Sequence, residues 1–353
     1  MILRLHPGTP EATVRQAVER CESAGLRVMR SPEPDRPILA LAGKLEDSLA
    51  KELEALPAVE ALQRPTPALL RVARAFREHP STVRIGNVTV GGPEVVVIAG
   101  PCSVEGRDIV RDVAERVRAA GAHLLRGGAF KPRTSPYAFQ GFGVEGLRQL
   151  KDAGLAAGLP IVSEIMDAAD LPAFVDHDVD CLQIGARNMQ NFTLLKAVAR
   201  SGRPVLLKRG LAATVEEWLY AAEYLAAGGC DQVILCERGI RTFERATRNT
   251  LDLTVLPLLR EWTHLPVIVD PAHAAGIARL VTPLARAAVA AGSDGIAVEV
   301  HERPHEARSD AAQALLPSEL AGMIGDLRVI GSVLGRRMHP HARRPAADAA
   351  LAH

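Results

Sequence analysis

The sequence predicts an α/β protein in which a (β/α)8 TIM barrel follows a small N-terminal α+β domain. Three observations support this prediction. From residue 95 onward, eight apolar runs of strand length recur, with starts separated by 21 to 37 residues. These runs are as apolar and β-branched as strands of a parallel sheet buried on both faces, and segments of helical periodicity lie between them. Before residue 63, two helical patterns alternate with four short strand patterns.

Residues 1–62 form the first predicted domain. Its strand patterns lie at residues 1–5, 26–29, 38–42 and 59–63, and its helical patterns lie at 10–24 and 44–56. This βαββαβ order is typical of a split, ferredoxin-like unit. Because the unit contains no cluster of catalytic residue types, we interpret it as a regulatory domain, with an inert cap as the alternative.

Residues 63–94 are predicted to be a linker with a short helix, followed by a β-hairpin. Alternating residues at 83–85 and 88–90 flank Gly86 and Asn87, and a two-residue turn of Gly and Asn favours a hairpin. Since no other sheet is available to this hairpin, we expect it to close the bottom of the barrel.

The barrel itself is predicted over residues 95–335. Its strands are expected at residues 95–99, 123–126, 160–164, 181–184, 204–207, 232–235, 265–269 and 295–300. Eight βα units of this total length match a (β/α)8 barrel. An open doubly wound sheet is the alternative, but no G-x-G-x-x-G follows the first strand, which argues against a dinucleotide-binding fold. Residues 336–353 are rich in Ala, Pro, Arg and His and are predicted to be a disordered tail.

Composition excludes several classes of function. The chain of 353 residues has a net charge of +1 and 3% aromatic residues, which indicates no nucleic-acid partner. No apolar run reaches about 18 residues, so no membrane partner is expected, and no signal peptide is evident. Five dispersed cysteines fit free thiols in a reducing compartment. We therefore expect a cytoplasmic protein.

A residue able to bind metal, phosphate or a proton lies at or just beyond the carboxyl end of every predicted barrel strand. Active sites of this fold lie at the carboxyl ends of the strands. The presence of such a residue at all eight strand ends is hard to assign to chance. The residues are Cys102, Arg126, Glu164, Arg187, Lys208, Arg238, His273 and Glu299.

The first group among them consists of possible metal ligands. Cys102, His273 and Glu299 are joined by Asp310, in the loop after the eighth strand. A thiolate, an imidazole and two carboxylates can hold a divalent transition metal, although this mixture of donors does not select one metal. Taken singly, Cys102 could be a small core residue, His273 a packed imidazole and Glu299 part of a strand-end salt bridge.

The second group is cationic and suits phosphorylated substrates. It comprises Arg126, Lys131, Arg133, Arg187, Lys208 and Arg238. Three of these cations lie in residues 124–143, which contain several glycines and no acidic residue. Surface cations are usually solvated, but a set gathered at one barrel mouth would repel itself unless an anion compensated it.

The segment Lys131-Pro132-Arg133-Thr134-Ser135 resembles the KPRTS signature of 3-deoxy-D-arabino-heptulosonate 7-phosphate (DAHP) synthases. The resemblance extends over residues 95 to about 315: the four possible metal ligands stand in GPCS, DPAH, VEVH and SD, which are the positions that the family uses as ligands. The N-terminal unit resembles the ferredoxin-like regulatory extension of one subgroup on pattern alone.

The resemblance implies roles for these residues. Contacts to phosphoenolpyruvate fall to Arg126, Lys131, Ala186, Arg187, Lys208 and Arg238, and contacts to erythrose 4-phosphate to Lys131, Pro132, Arg133, Thr134 and Ser135. The metal ligands are Cys102, His273, Glu299 and Asp310, and the catalytic residues are Cys102, Lys131, Glu164 and His273. Either Glu164 or a metal-bound water could transfer protons.

The implied reaction condenses phosphoenolpyruvate with erythrose 4-phosphate and water to DAHP and phosphate, the first step of the shikimate pathway. The resemblance further implies a divalent cofactor (Mn, Zn, Fe or Co), a homotetramer, and tyrosine or phenylalanine as an effector that closes the N-terminal unit over the barrel mouth. One alternative is 3-deoxy-octulosonate 8-phosphate synthase, whose loop carries Asn-Arg-Ser, so that Pro132 and Thr134 speak against it. Another is a non-catalytic regulatory barrel, but none of the ligand positions is missing.

Overall fold

The computed structural model describes residues 1–33, 35–65, 68–133 and 135–340. It confirms the predicted fold class, since eight parallel strands close into a barrel and a separate four-stranded antiparallel sheet precedes them. The other described residues form helices around the barrel and the loops that join these elements.

The N-terminal unit has the predicted βαββαβ order. Its elements are β1 (Ile2–Leu5), α1 (Glu11–Ser23), β2 (Arg27–Arg30), β3 (Ile38–Ala42), α2 (Asp47–Glu54) and β4 (Val59–Gln63). The strands pair antiparallel in the order β2-β3-β1-β4. Successive strand side chains point to opposite faces, so one face of this sheet packs on the two helices while Ile2, Ile38 and Ala40 pack on the connecting segment.

The connecting segment attaches the N-terminal unit to the bottom of the barrel. Glu223 accepts hydrogen bonds from the backbone N–H groups of residues 70, 71 and 72. The Ser81 N–H donates to the carbonyl of His264 at 2.7 Å. Glu223 lies near the carboxyl end of the helix Val215–Ala227, which leads into the strand Val233–Glu237, and His264 lies three residues before the strand Val267–Val269. The segment therefore lies at the amino ends of the barrel strands. The N-terminal unit therefore lies at the end of the barrel opposite its mouth.

A β-hairpin lies across the same end of the barrel. Its strands are β5 (Val83–Ile85) and β6 (Val88–Val90), and its turn contains Gly86 with a φ of 56°, a conformation that glycine adopts without strain. The four valine and isoleucine side chains of the hairpin pack against the inward-facing residues of the barrel strands, and they fill its lower interior.

The barrel strands pair in sequence order, and the last pairs with the first to close the barrel. They are β7 (Glu94–Gly100), β8 (Leu124–Arg126), β9 (Ile161–Ile165), β10 (Cys181–Ile184), β11 (Val205–Lys208), β12 (Val233–Glu237), β13 (Val267–Val269) and β14 (Gly295–Glu299). Almost all of their residues are buried, which explains why the runs are apolar without alternation.

The helices cover the outside of the barrel. They are α3 (Arg107–Ala120), α4 (Val144–Ala157), α5 (Leu171–Asp176), α6 (Phe192–Ala199), α7 (Val215–Ala227), α8 (Val255–Trp262), α9 (Pro271–Ala275), α10 (Ala278–Ala290) and α11 (Pro317–Val333). Among the described residues, no helix is both long and apolar enough to cross a membrane.

The structure corrects the predicted start of the disordered tail. Residues Arg337–Met338 form a short strand, β15, parallel to β7. The N–H groups of Arg337 and His339 donate to the carbonyls of Pro93 and Val95, and these contacts with a distant part of the chain could not be read from local composition. The remainder of the predicted tail, residues 341–353, lies outside the described residues.

Candidate active site

Four potential metal ligands meet at the mouth of the barrel. Cys102 follows β7, His273 lies in the short helix α9 after β13, and Glu299 ends β14. Asp310 lies in the loop after β14 in the left-handed conformation, with a φ of 49°. One donor atom from each residue lies within 4.8 Å of every other, so the barrel unites four residues that are up to 208 positions apart.

The orientation of His273 is fixed by Asp270. The Asp270 carboxylate accepts from the His273 backbone N–H at 2.9 Å and lies 2.7 Å from Nδ1. Lys208 donates to the same carboxylate. The Nε2 atom then faces Glu299 Oε1 at 3.3 Å. An imidazole held through Nδ1 by a carboxylate is a common arrangement for a metal-ligating histidine.

The two carboxylates of the cluster have cationic partners. Arg126 donates to Glu299 Oε1 at 2.8 Å, and Arg248 donates to Asp310 Oδ1 at 3.0 Å. The Cys102 thiol donates to Asp310 Oδ2 at 3.2 Å. In this arrangement Glu299 Oε1 faces His273 Nε2, and Asp310 Oδ2 faces the Cys102 sulfur.

Burial and charge shift the protonation equilibria of the cluster. Burial, with the nearby Glu299 carboxylate, raises the pKa of the Cys102 thiol to about 12. Burial also lowers the pKa of His273. Burial alone would raise the pKa of Glu299, but His273 and Arg126 outweigh it, so the pKa is lowered. The two shifts favour an ionised Glu299 and a neutral His273, which are the forms in which these groups bind a metal.

The cluster fits a divalent transition metal. One sulfur, one nitrogen and two carboxylate oxygens within 4.8 Å of one another can contact a single cation, and this combination suits borderline metals such as Zn, Fe, Co or Mn. A cation would also compensate the two closely placed carboxylates and take the place of the thiol proton.

A cationic cavity of about 420 Å³ adjoins the cluster. Its wall includes residues of both predicted groups together with several further polar residues. Among the described residues, Arg187, Arg238 and Arg241 line this cavity without forming an ion pair to any carboxylate. Burial lowers the pKa of Arg238. A group of cations left unpaired around a cavity is suited to an anionic ligand.

Lys131 lies between the cluster and the cavity. Its buried Nζ donates to the Cys102 carbonyl at 2.8 Å and lies 3.2 Å from the Cys102 sulfur. A side chain on Gly128 would collide with Lys131, since its Cβ would lie 2.7 Å from the lysine Cδ. The glycine thus leaves room for the lysine beside the cluster.

Glu164 contributes a carboxylate to the cavity wall. Gln183 donates to its Oε2 atom at 3.2 Å, and the carboxylate lies where a Cβ on Gly185 would stand. The backbone that carries Ala186 and Arg187 can therefore approach Glu164 closely only because residue 185 is glycine.

The other predicted substrate-binding residues occupy different positions. Pro132, Arg133, Ser135, Ala186 and Lys208 line the cavity. Arg126 does not line it; it lies buried and paired with Glu299. Thr134 lies outside the described residues.

Several residues at the mouth were not predicted from the sequence. They are Asp270, Arg241, Arg248, Asn249, Ser309 and Gln313. Asp270 could have been found, because it ends a strand three residues before His273 in the quoted DPAH motif. The Arg-rich loop that contains Arg241 and Arg248 offered a weaker signal, since such loops are more often solvated.

Residues 74–327 match the model described as the DAHP synthetase I family. The chain belongs to the DAHP synthetase I family. The phospho-2-dehydro-3-deoxyheptonate aldolase of Thermotoga maritima is 42% identical, and the match covers 96% of this chain and 100% of the relative. The 2-dehydro-3-deoxyphosphooctonate aldolase of Syntrophotalea carbinolica is 33% identical over 72% of this chain and 98% of the relative.

Solved structures of the DAHP synthetase family agree with this result. The crystal structure of DAHP synthase from Thermotoga maritima is similar to this chain with a TM-score of 0.76 at 41% identity, covering 96% of this chain and 98% of that one. A truncated form of the Thermotoga enzyme gives a TM-score of 0.71 at 43% identity, covering 76% of this chain and 98% of that one. The truncated enzyme and the family model each leave part of the present chain uncovered. The full-length Thermotoga relative covers nearly all of it.

Proposed function

We propose that this chain is a metal-dependent transferase that condenses phosphoenolpyruvate with erythrose 4-phosphate and water to give DAHP and phosphate, the first step of the shikimate pathway. The observation that carries this proposal is a metal-type cluster beside a cavity with unpaired cations. Such a site can act on an aldehyde at one end while it holds phosphates at the other. The relative with the greater identity and coverage is named for the heptonate product.

Cys102, His273, Glu299 and Asp310 would hold the metal ion, which is manganese, zinc, iron or cobalt. When bound, this ion supplies Lewis-acid polarisation of the erythrose 4-phosphate aldehyde. Lys131 places its ammonium group beside the cluster, where it donates a proton to the aldehyde oxygen as C3 of phosphoenolpyruvate attacks the carbon.

The cationic wall binds phosphoenolpyruvate. Arg187, Lys208 and Arg238, with the backbone at Ala186, hold its phosphate, and these groups face one cavity. Arg126 does not line the cavity, and it contributes to the site by holding the Glu299 carboxylate in place. Fixed cations stabilise the charge that develops as the phosphate departs.

The loop after β8 binds erythrose 4-phosphate. Pro132, Arg133 and Ser135 line the same cavity as the phosphoenolpyruvate-binding group, with Thr134 between them in the sequence. The Arg133 guanidinium contacts the carbonyl of Arg308 at 3.3 Å, so it is held near the loop that carries Asp310 while its remaining N–H groups are free for a phosphate.

Glu164 completes the reaction. After C3 attacks, positive character develops at C2 of the former phosphoenolpyruvate, and water adds there as Glu164 accepts its proton. In the resulting hemiketal phosphate the C2–O bond to phosphate breaks, the remaining hydroxyl gives its proton to the departing phosphate as the ketone forms, and inorganic phosphate leaves toward the cationic wall. Glu164 is suited to this step because its carboxylate lines the cavity, where a general base can accept the proton of a water molecule.

Incubation with both substrates and a divalent metal tests this proposal. We expect phosphate release and a heptulosonate 7-phosphate product, and release that is slower when arabinose 5-phosphate replaces erythrose 4-phosphate. Faster turnover with arabinose 5-phosphate would assign the octulosonate 8-phosphate reaction instead. Recovery of both substrates unchanged from the metal-loaded protein would refute the enzymatic proposal and favour a non-catalytic regulatory barrel.

We further propose that residues 1–62 are a regulatory domain for tyrosine or phenylalanine, and that the enzyme is a cytoplasmic homotetramer. The separate sheet and helices of the N-terminal unit, which carry none of the mouth residues, support a role apart from catalysis. Sedimentation of the purified protein tests the tetramer, and assays with each amino acid test the effector.

A further inference from the structure

Gln313 links the two carboxylates of the cluster. Its side chain is buried, with 1% of the residue exposed. The Nε2 atom donates to Glu299 Oε2 at 2.7 Å, and the Oε1 atom accepts from Arg248 at 3.0 Å. Arg248 in turn donates to Asp310 at 3.0 Å. A continuous chain of hydrogen bonds therefore runs from Glu299 through Gln313 and Arg248 to Asp310.

The orientation of the Gln313 carboxamide is set by its partners. An ionised Glu299 can only accept hydrogen bonds, and an Arg248 guanidinium can only donate them. A flipped carboxamide would therefore lose both bonds at once. No other orientation satisfies both partners, so the side chain is held at both ends.

The backbone fixes where Gln313 stands. Asp310 adopts a left-handed conformation and precedes the 3₁₀ turn Ala311–Gln313, and the Gln313 N–H donates back to the Asp310 carbonyl at 3.2 Å. The Leu315 N–H then donates to the Glu299 carbonyl at 2.9 Å. With this turn, Gln313 contacts Glu299 Oε2, whereas His273 faces Glu299 Oε1.

We propose that Gln313 is a positioning residue for the metal cluster. Its carboxamide holds Glu299 Oε2, and through Arg248 it restrains Asp310, so that Glu299 Oε1 and Asp310 Oδ2 stay turned toward His273 and Cys102. The inference rests on the proposed metal site. Because groups that orient metal ligands contribute about 10- to 100-fold to metal affinity, loss of Gln313 should weaken metal binding by that factor.

Equilibrium dialysis of the metal-free protein against Mn²⁺ tests the inference without substrate or turnover. Gln313→Met keeps the length and net charge but removes both hydrogen bonds, and we expect its dissociation constant for Mn²⁺ to rise about 10- to 100-fold with one ion still bound. The matched control is Gln149→Met, which removes a glutamine–carboxylate hydrogen bond of 2.9 Å on the outer helix α4 and should leave the constant unchanged.

Each outcome distinguishes the two claims. Mn²⁺ binding by wild type that Gln313→Met leaves unchanged would overturn the role of Gln313 and leave the proposed function standing. Absence of Mn²⁺ binding by wild type would overturn both. If Gln313→Met does not fold, Gln313→Asn serves the same purpose, because its shorter carboxamide cannot reach both partners; wild-type affinity in that variant would equally refute the inference.

Discussion

The two ends of the barrel differ in whether their charged side chains have ion-pair partners. At the bottom, Asp294 accepts from the Val267 N–H and from Arg260 and Arg336, all between 2.8 and 3.1 Å. At the mouth, the buried Arg238 and the exposed Arg187 face the cavity without an ion pair to a carboxylate within the part of the chain that the structure describes. The bottom completes its interactions within the fold, whereas the mouth combines ion pairs such as Arg126–Glu299 with cations that have no carboxylate partner.

This difference separates stability from function. A buried charge with no carboxylate partner costs free energy of desolvation, so the buried Arg238 destabilises the ligand-free protein. This cost is compatible with the fold because the satisfied contacts at the bottom stabilise it, in agreement with the general division of labour between the two ends of this barrel. Substitutions at the mouth should therefore change mainly the kinetic constants, and substitutions at the bottom should change mainly the free energy of unfolding.

The largest expected effect belongs to the metal cluster. Cys102→Ala removes one ligand, and because a bound metal contributes several kcal/mol of transition-state stabilisation, we expect phosphate release to slow by about 10³-fold. The melting temperature of the metal-free variant should stay close to that of wild type, since only a small side chain is removed. Near-normal turnover at limiting metal concentration would contradict the ligand assignment. Chelation of wild type should abolish activity, and added metal should restore it.

Asp294→Asn, at the bottom of the barrel, should lower stability and leave turnover unchanged. The substitution leaves Arg260 and Arg336 without their shared carboxylate, and breaking such a buried ion pair costs about 3 kcal/mol of unfolding free energy. Urea denaturation measures this loss. The turnover number per folded molecule should match wild type, because Asp294 lies at the far end of the barrel; a large fall in turnover with unchanged stability would break the comparison between the two ends.

Arg238→Met tests the open cations directly. Loss of one charge-assisted contact should raise KM for phosphoenolpyruvate about 10- to 100-fold, equivalent to about 1.5–3 kcal/mol. In the absence of ligands the variant should be at least as stable as wild type, because a buried cation without a carboxylate partner has been replaced by an apolar side chain of similar length. A lower melting temperature in the ligand-free state would show that Arg238 has a structural role.

The sequence could predict the barrel and the residues at its strand ends because both depend on local patterns. Apolar runs mark the strands, and the residue that ends each strand reaches the mouth whatever the loops do. Asp270 was missed although its position three residues before His273 made it accessible to the same reasoning.

Contacts that depend on loop closure could not be predicted. Gln313 and Arg248 meet across 65 residues, and nothing in either local segment distinguishes them from solvated polar residues. The family resemblance implies a contact of Arg126 with phosphoenolpyruvate, and only the closed barrel places this arginine against Glu299. The strand at Arg337–Met338 was missed for the same reason, since its partner β7 lies at the other end of the barrel sequence.

The smallest expected effect on catalysis comes from removal of the N-terminal unit. It packs Ile2, Ile38 and Ala40 on the connecting segment at the bottom of the barrel, far from the cluster. A chain that begins at Ala68 should therefore keep the turnover number of the full chain, provided that the uncovered Leu69 and Phe76 do not cause aggregation, which light scattering detects. The solved truncated Thermotoga enzyme, which matches 76% of this chain, supports the expectation that a shorter chain of this family can fold.

Inhibition, in contrast, should depend on the unit. Tyrosine or phenylalanine can inhibit through it only by binding one of two arrangements more tightly, and because the unit lies opposite the mouth, the inhibited arrangement requires either that it moves or that it acts on a second copy of the chain. We expect the full chain to be inhibited and the soluble truncated chain to be insensitive. Equal inhibition of both would place the effector site in the barrel, and an intact enzyme that neither amino acid inhibits would leave the unit with a structural or assembly role, in keeping with the satisfied contacts of the end to which it is attached.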